Sequence, residues 1–167
     1  MSLLPWFEWV NEFPSSIAIR ESVNGYPALL TLHVVSMCLF AGLVIMMDLR
    51  LLGVGNLRTP FSQVQKRLFP GQMLGLVVSS VSGLVLVYGQ PVRFYGNIFF
   101  WTKAMMMVLA AVNALAFHLT TYHSVAAWDS DAVMPSGAKL AAAFSLALWA
   151  GVVICGRLIA YNWFNPI

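Results

Sequence analysis

Charged residues are scarce in this chain. Of its 167 residues only 9% are charged, against about 25% in a typical soluble domain, and 60% are hydrophobic. This composition leaves too little polar surface for a water-soluble fold, so we predict an integral membrane protein. The nine basic residues form no long run, which argues against nucleic-acid binding and for a role as membrane orientation signals. Two cysteines are too few for a disulfide framework.

Four long apolar runs are present, each long enough for the roughly 20 residues that one helical crossing requires. We predict spans at about 27–50, 68–90, 98–120 and 139–162, with Pro70 and Pro91 marking the ends of the second. No internal repeat or low-complexity segment is visible. The expected fold is all-α, a single transmembrane domain (1–167) that forms an integral membrane four-helix bundle.

An amphipathic pattern precedes the first span. Between Pro5 and Pro14, apolar residues recur at helical spacing opposite a polar face: Trp6, Trp9, Val10 and Phe13 against Glu8, Asn11 and Glu12. This pattern predicts an interfacial helix within 5–22. No Lys or Arg precedes Arg20, so the segment differs from a cleavable signal peptide and we expect the mature chain to keep it.

Basic residues are unequally divided between the two ends of the predicted bundle. The segments that join spans one to two and three to four carry five of them: Arg50, Arg58, Lys66, Arg67 and Lys139. The opposite side carries Arg20 and Arg93. The positive-inside rule then places the richer side in the cytoplasm and both termini outside, in the periplasm of a bacterial inner membrane.

Small residues line one face of each of two spans. In span two the spacing is four residues (Gly71, Gly75, Ser79, Gly83), and span three has Ala104, Met107, Ala111, Ala114 and His118 on one face. Such stripes usually serve close helix packing, although a flat cofactor could occupy the same groove. Packing within one bundle does not need two small-residue faces. One of them is therefore expected to contact a second copy of the chain, which predicts a homo-oligomer.

His33 is the leading candidate for a functional residue, because ionisable groups inside a bilayer are costly and usually functional. It lies about 8 Å below the outer surface in span one. His118 lies roughly 20 Å away along the bundle, so one iron cannot bind both. Met105, Met106 and Met107 of span three are expected at the depth of His33, which makes Met107 a candidate second ligand. A hydrogen-bonded structural role is the alternative for both histidines.

Arg157 is expected at the same outer level, with no Asp or Glu of any span beside it. A haem propionate would supply the missing anion, and Arg20 and Lys103 on the same side could hold a second carboxylate. Contact with lipid phosphate or with Glu21 is the alternative for Arg157. Asp48 is expected to pair with another element, such as the 58–67 loop, and to be structural.

A set of polar, glycine and aromatic positions is spread over nearly the whole chain: Leu32-His33, Gly42, Asp48-Leu49-Arg50, Lys103, Asn113, His118, Pro135, Trp149 and Gly156-Arg157. In these positions the sequence resembles a family of uncharacterised bacterial four-helix inner-membrane proteins. The early Leu-His followed by Phe40 and Gly42 is also similar to the first helix of two better-known groups. These are the copper-resistance protein D family and the haem-containing membrane protoporphyrinogen oxidase of bacteria. The similarity implies that His33 corresponds to the haem-binding histidine of the oxidase or to a metal-associated position of the copper family.

Our leading functional hypothesis is a membrane-embedded b-type cytochrome that binds haem b. His33 would bind the iron, and Arg157, Arg20 and Lys103 would neutralise the propionates. One-electron transfer to or from a quinone or a redox protein would follow, and any enzymatic activity would be that of an oxidoreductase. Copper handling through Met, Cys and His ligands is one alternative. A non-catalytic subunit of a membrane complex is another. Nucleophilic catalysis has no supporting motif.

Overall fold

The computed structural model describes residues 3–55, 57–129 and 134–161, and all regular structure within them is helical. Pro14 and Pro91 occupy the first turn of a helix, where proline is well tolerated. Asn97 caps another by accepting hydrogen bonds from the amides of Phe99 and Phe100. The helices are α1 (Leu4–Asn11), α2 (Pro14–Glu21), α3 (Gly25–Leu52), α4 (Phe61–Gly89), α5 (Pro91–Tyr95), α6 (Ile98–Thr120), a 3-10 helix (Tyr122–Ala127) and α7 (Ser136–Leu158).

The four predicted membrane spans are confirmed. Within the described residues, α3, α4, α6 and α7 are long and apolar enough to cross a bilayer. The chain therefore forms an all-α, four-helix membrane bundle. Residue 162, the last of the predicted fourth span, lies outside the described part of the chain.

The start of the second span needs a correction, because α4 begins at Phe61 and Pro70 lies inside it. Asp129, far along the chain, completes the first turn: its carboxylate accepts hydrogen bonds from the Ser62 amide and hydroxyl, each at 2.7 Å. Its backbone carbonyl accepts from the Phe61 amide. A capped start lets the helix form before the apolar run, and Pro70 removes only one hydrogen bond from its interior.

The predicted N-terminal helix is two short helices, α1 and α2, because Phe13 has an extended backbone and Pro14 starts a new helix. Arg20 ties the pair together, donating to the Asn11 carbonyl at 3.0 Å and to its side-chain oxygen at 2.7 Å. The fully buried Ser16 hydroxyl donates to the Tyr88 carbonyl at 2.8 Å. This hydrogen bond holds α2, and with it α1, against the end of α4. Trp6 and Trp9 of α1 remain exposed.

α3 fills the small-residue stripe of α4, as expected for helix packing. A Cβ added at Gly75 would lie 3.0 Å from the Phe40 backbone nitrogen and 3.0 Å from the Ser36 carbonyl oxygen. The backbones of α3 and α4 therefore approach each other as closely as glycine allows. At Gly71 and Gly83 the corresponding neighbours are the side chains of Leu43 and His33.

The spans pack in the order α4, α3, α7, α6. α3 lies against both α4 and α7, and α6 packs along α7. A cluster around Phe40 and Trp149, whose rings meet edge to face at 4.9 Å, fills the middle of the bundle. A second cluster around Phe61 and Trp128 fills the end where α3 finishes and α4 begins, called here the Arg50 end. The opposite end is called the His33 end.

The predicted small-residue face of α6 is used only in part inside the bundle, where Met107 packs against the central cluster. On α6, Ala111 and Ala114 are exposed, and the buried residue of that helix is Ala110. The large apolar residues of α6 also face outward, as Met105 and Leu119 do. This helix therefore presents a broad apolar face to the bilayer or to another chain.

We predict that Gly75→Ala destabilises the protein by about 1–3 kcal/mol, because a methyl group there meets the backbone of α3 and forces α3 and α4 apart. The matched control is Gly42→Ala in α3, where a Cβ meets no atom within 4 Å. Unfolding of both variants in mixed micelles, followed by tryptophan fluorescence, measures the difference. Equal stability of the two variants would contradict the close approach.

Candidate functional site

The His33 imidazole is anchored to α4 through one of its ring nitrogens. Nδ1 lies 2.9 Å from the Ser79 carbonyl oxygen and 3.2 Å from Ser82 Oγ. A carbonyl can only accept, so Nδ1 carries the proton and donates. Ser82 uses its own hydroxyl proton on the Val78 carbonyl at 2.6 Å, which leaves an oxygen lone pair for the imidazole. The ring is held in one tautomer.

This tautomer leaves Nε2 with its lone pair. Among the described residues Nε2 has no hydrogen-bond partner, and the side chain is only half-buried. Metal-binding histidines typically have this arrangement, in which a carbonyl holds the protonated nitrogen and the other binds the metal. The geometry is therefore that of a prepared ligand, although a hydrogen-bonded structural histidine would use Nδ1 in the same way.

Gly83 makes room for the ring. A Cβ at this position would lie 2.9 Å from His33 Cε1 and 3.3 Å from Nδ1. These contacts are shorter than side chains tolerate, so any larger residue would turn or displace the imidazole. Sequence reasoning identified Gly83 and Ser79 as a packing stripe but missed their role around His33. Ser82 was missed altogether, although it is one turn from Ser79 and on nearly the same face.

Lys103 reaches the same end of the bundle from α6. Its Nζ lies 3.8 Å from where a Cβ of Gly156 would be, so the ammonium lies over a glycine of α7. Its charge acts electrostatically on His33 and on the buried thiol of Cys155. No hydrogen bond or ion pair of the described residues occupies this ammonium. Lys103 therefore lies at the His33 end of the bundle, where its charge is felt by the imidazole.

Arg157 and Arg20 lie at the His33 end but point elsewhere. Arg157 is exposed, donates to the Tyr161 hydroxyl at 3.2 Å and lies 5.4 Å above that ring. Its partner is a neutral side chain one turn away. Arg20 is occupied by Asn11. Both cations lie near the end of the bundle, but neither is directed at the imidazole.

The predicted depth of the methionines is corrected by the packing. Met107 contacts the central cluster that contains Phe40 and Trp149. Phe40 is seven residues further along α3 than His33, about 10 Å along the helix axis. The structure therefore places Met107 against the middle of the bundle, about one turn beyond Lys103 along α6. The predicted depth relied on span ends, whereas side-chain packing sets the register of α6.

The other histidines are remote from His33. His118 is exposed near the last turn of α6 and stacks on Tyr122, with the ring centroids 4.7 Å apart. Tyr122 packs against the cluster at the Arg50 end. His123 is exposed in the 3-10 helix. His33 and His118 thus lie at opposite ends, as expected from their positions in the parallel helices α3 and α6.

The soft ligands for copper are also dispersed. Cys38 is exposed on α3, whereas Cys155 is buried on α7. Within the described ranges, no group of three or more His, Cys, Asp or Glu side chains is gathered closely enough for a metal ion.

Asp48 pairs with another element, as expected, but that element is α7 rather than the basic loop. It is buried and accepts a hydrogen bond from the Ser145 hydroxyl of α7. Its other oxygen, Oδ2, is buried without a partner in the described structure. The side chain of Asp48 points toward α7 because it follows Val44 on the face of α3 that packs there. The sequence alone did not show which helix that face meets.

We predict that Ser145→Ala destabilises the protein by about 1–3 kcal/mol, because it removes the hydroxyl donor of a buried carboxyl group. The control is Ser80→Ala, which removes an exposed hydroxyl from α4. Denaturant titration of both variants measures the difference, and a Ser145→Ala variant as stable as Ser80→Ala would show that the hydrogen bond contributes nothing.

Comparison with known proteins places the chain in a family but assigns no activity. No curated protein and no solved structure matches it. Residues 6–162, which include all four spans and the His33 site, match the family of unknown function DUF6644. The chain belongs to that family.

Proposed function

We propose that this protein is a membrane-embedded haem b protein in which His33 binds the iron. One observation carries the proposal: an imidazole inside a membrane span has Nδ1 fixed by the Ser79 carbonyl and Nε2 available. Buried polar groups in a bilayer are costly. A histidine fixed in this tautomer at the outer end of a span is best explained by a ligand on its second nitrogen.

The residues around His33 suit a haem in charge. Lys103 acts electrostatically on the imidazole, and no hydrogen bond or ion pair of the described residues engages its ammonium, which would suit a propionate carboxylate. Gly83 on α4 leaves room for the imidazole ring, and Gly156 on α7 leaves room for the Lys103 ammonium. Arg20 and Arg157, now bound to neutral groups, are further cations at this end. Met107 as second ligand has less support because of its depth.

When bound, a haem would supply reversible one-electron chemistry, which is the basis of the proposed electron transfer. The protein's own residues would set how readily the iron is reduced. The Ser79 carbonyl and Ser82 hydroxyl raise the basicity of the imidazole by accepting its proton in a hydrogen bond. Electron exchange with a quinone or a redox protein would take place at the His33 end.

The same proposal includes a location and an assembly state. The basic residues concentrated at the Arg50 end indicate that this end faces the cytoplasm of a bacterial cell, with both termini in the periplasm. The exposed face of α6 that carries Ala111 and Ala114 supports self-association.

Copper handling is the second candidate, and the buried Cys155 thiol beside Lys103 is the observation in its favour. Its ligands are dispersed over the helices, so it has less support than haem. The third candidate is a subunit of a larger complex that binds neither haem nor copper. Such a subunit would bind its partner chain through the exposed face of α6. Iron and copper analysis of protein purified from its native membrane distinguishes these three functions.

We predict that the purified protein has a Soret band that shifts on reduction with dithionite, and that His33→Gly abolishes it because the iron loses its nitrogen ligand. Added imidazole should restore part of the band, which a merely structural histidine would not show. Matched controls are His118→Ala and His123→Ala, which leave the band unchanged. A well-folded wild-type protein without iron or a Soret band, even after reconstitution with haemin, would refute the proposal.

We also predict that Ser82→Ala keeps the haem but raises its midpoint potential by on the order of 10–50 mV, because one weak acceptor of the Nδ1 proton is lost. Ser80→Ala on the exposed face of α4 is the control. Spectroelectrochemical titration gives both potentials. If Ser82→Ala and Ser80→Ala had the same midpoint potential, the Ser82 hydroxyl would have no influence on His33.

A further inference from the structure

A second buried site lies at the Arg50 end, centred on Arg50 itself. This side chain is 1% exposed and is the largest fully buried side chain in the described structure. One guanidinium nitrogen donates to the Thr59 carbonyl at 3.1 Å. The other two, Nε and Nη1, are buried and have no hydrogen-bond partner among the residues that the structure describes. An arginine stays charged in a protein, so this cation needs compensation.

Gln65 lies opposite Arg50 across the α3/α4 contact. The register is fixed by Gln72, whose side-chain amide donates to the Leu43 carbonyl at 3.3 Å. Seven residues further along α3 and seven residues back along α4, the facing positions are Arg50 and Gln65. The Oε1 atom of Gln65 is also buried without a partner. Two unsatisfied polar side chains therefore face the same contact.

The carboxylates at this end are directed elsewhere. Among the described residues these are Asp48 and Asp129. Asp48 is bound to Ser145 on α7, and Asp129 is bound to Ser62. Neither forms an ion pair with Arg50, so the described part of the chain supplies no anion to the guanidinium. An anion bound at this point would supply acceptors for the two unpartnered nitrogens.

We propose that the Arg50 end is a binding site for a phosphate group, with Arg50 and Gln65 as its buried donors. The planar guanidinium matches phosphate oxygens, and the Gln65 amide can turn its NH2 group toward the same point. Lys66 and Arg67 are exposed at this end of α4. They would attract a phosphate electrostatically at the membrane surface. The phosphate would come from an anionic lipid headgroup or from free phosphate.

The experiment uses the full-length protein and measures thermal unfolding and native mass spectra. The probes are phosphatidic acid mixed into phosphatidylcholine nanodiscs, and inorganic phosphate at constant ionic strength. We expect a saturable rise in the unfolding temperature of the wild type. Arg50→Gln should weaken the apparent affinity by roughly tenfold or more, because a buried charged donor is lost. The control Arg58→Gln, on the surface, should change it by less than about threefold.

Two further outcomes complete the test. A response to phosphatidic acid alone identifies a lipid site, and a response to inorganic phosphate as well identifies a site for free phosphate. If Arg50→Gln fails to fold, Gln65→Leu is compared with Gln63→Leu at an exposed position, and only the former should weaken binding. No stabilisation by either probe, or an equal loss in Arg50→Gln and Arg58→Gln, would overturn the proposal. These results are independent of haem, which would bind at the opposite end.

Discussion

The contact between α3 and α4 is the constraint on which the rest of the structure depends. Gly75 allows the backbones to approach until a methyl group would no longer fit. Hydrophobic burial contributes little to helix association in lipid, so such close contacts and interhelical hydrogen bonds hold the bundle together. The same contact sets the register that brings the Ser79 carbonyl to His33 and places Gln65 opposite Arg50. Both candidate sites are consequences of one helix pair.

Each of the two sites contains a polar side chain buried where water is scarce. At His33 the bundle supplies an acceptor for Nδ1 but no donor for Nε2 among the described residues. At Arg50 it supplies one carbonyl for three nitrogens. Asp48 lies between these extremes with one of its two oxygens satisfied. Residues of this kind cost stability, and these three are satisfied only in part by the described residues.

Much of this architecture could be predicted from the sequence. The four spans followed from hydrophobic length alone, because a bilayer requires every backbone group to be paired within the helix. The stripe of α4 was visible as a four-residue spacing. His33 and Lys103 were singled out by charge in an apolar run. These properties are local, and a single helix determines each of them.

What could not be predicted depended on contacts between helices. The depth of Met107 and the partner of Asp48 require the register of α6 and α7 against α3, which one sequence does not reveal. The start of α4 was missed for a similar reason, since its cap comes from a residue far along the chain. Sequence patterns show which face of a helix is apolar, but they do not show which neighbour that face meets.

That distant cap affects the order in which the chain can fold during synthesis. The first turn of α4 emerges from the ribosome well before Asp129, which follows it by more than sixty residues. Until α6 has been made, the Ser62 amide must therefore rely on water or lipid headgroups for a partner. The segment between α6 and α7 thus completes the helix pair formed by α3 and α4. In a chain truncated after α4, the first turn of α4 would lack its cap and would fray.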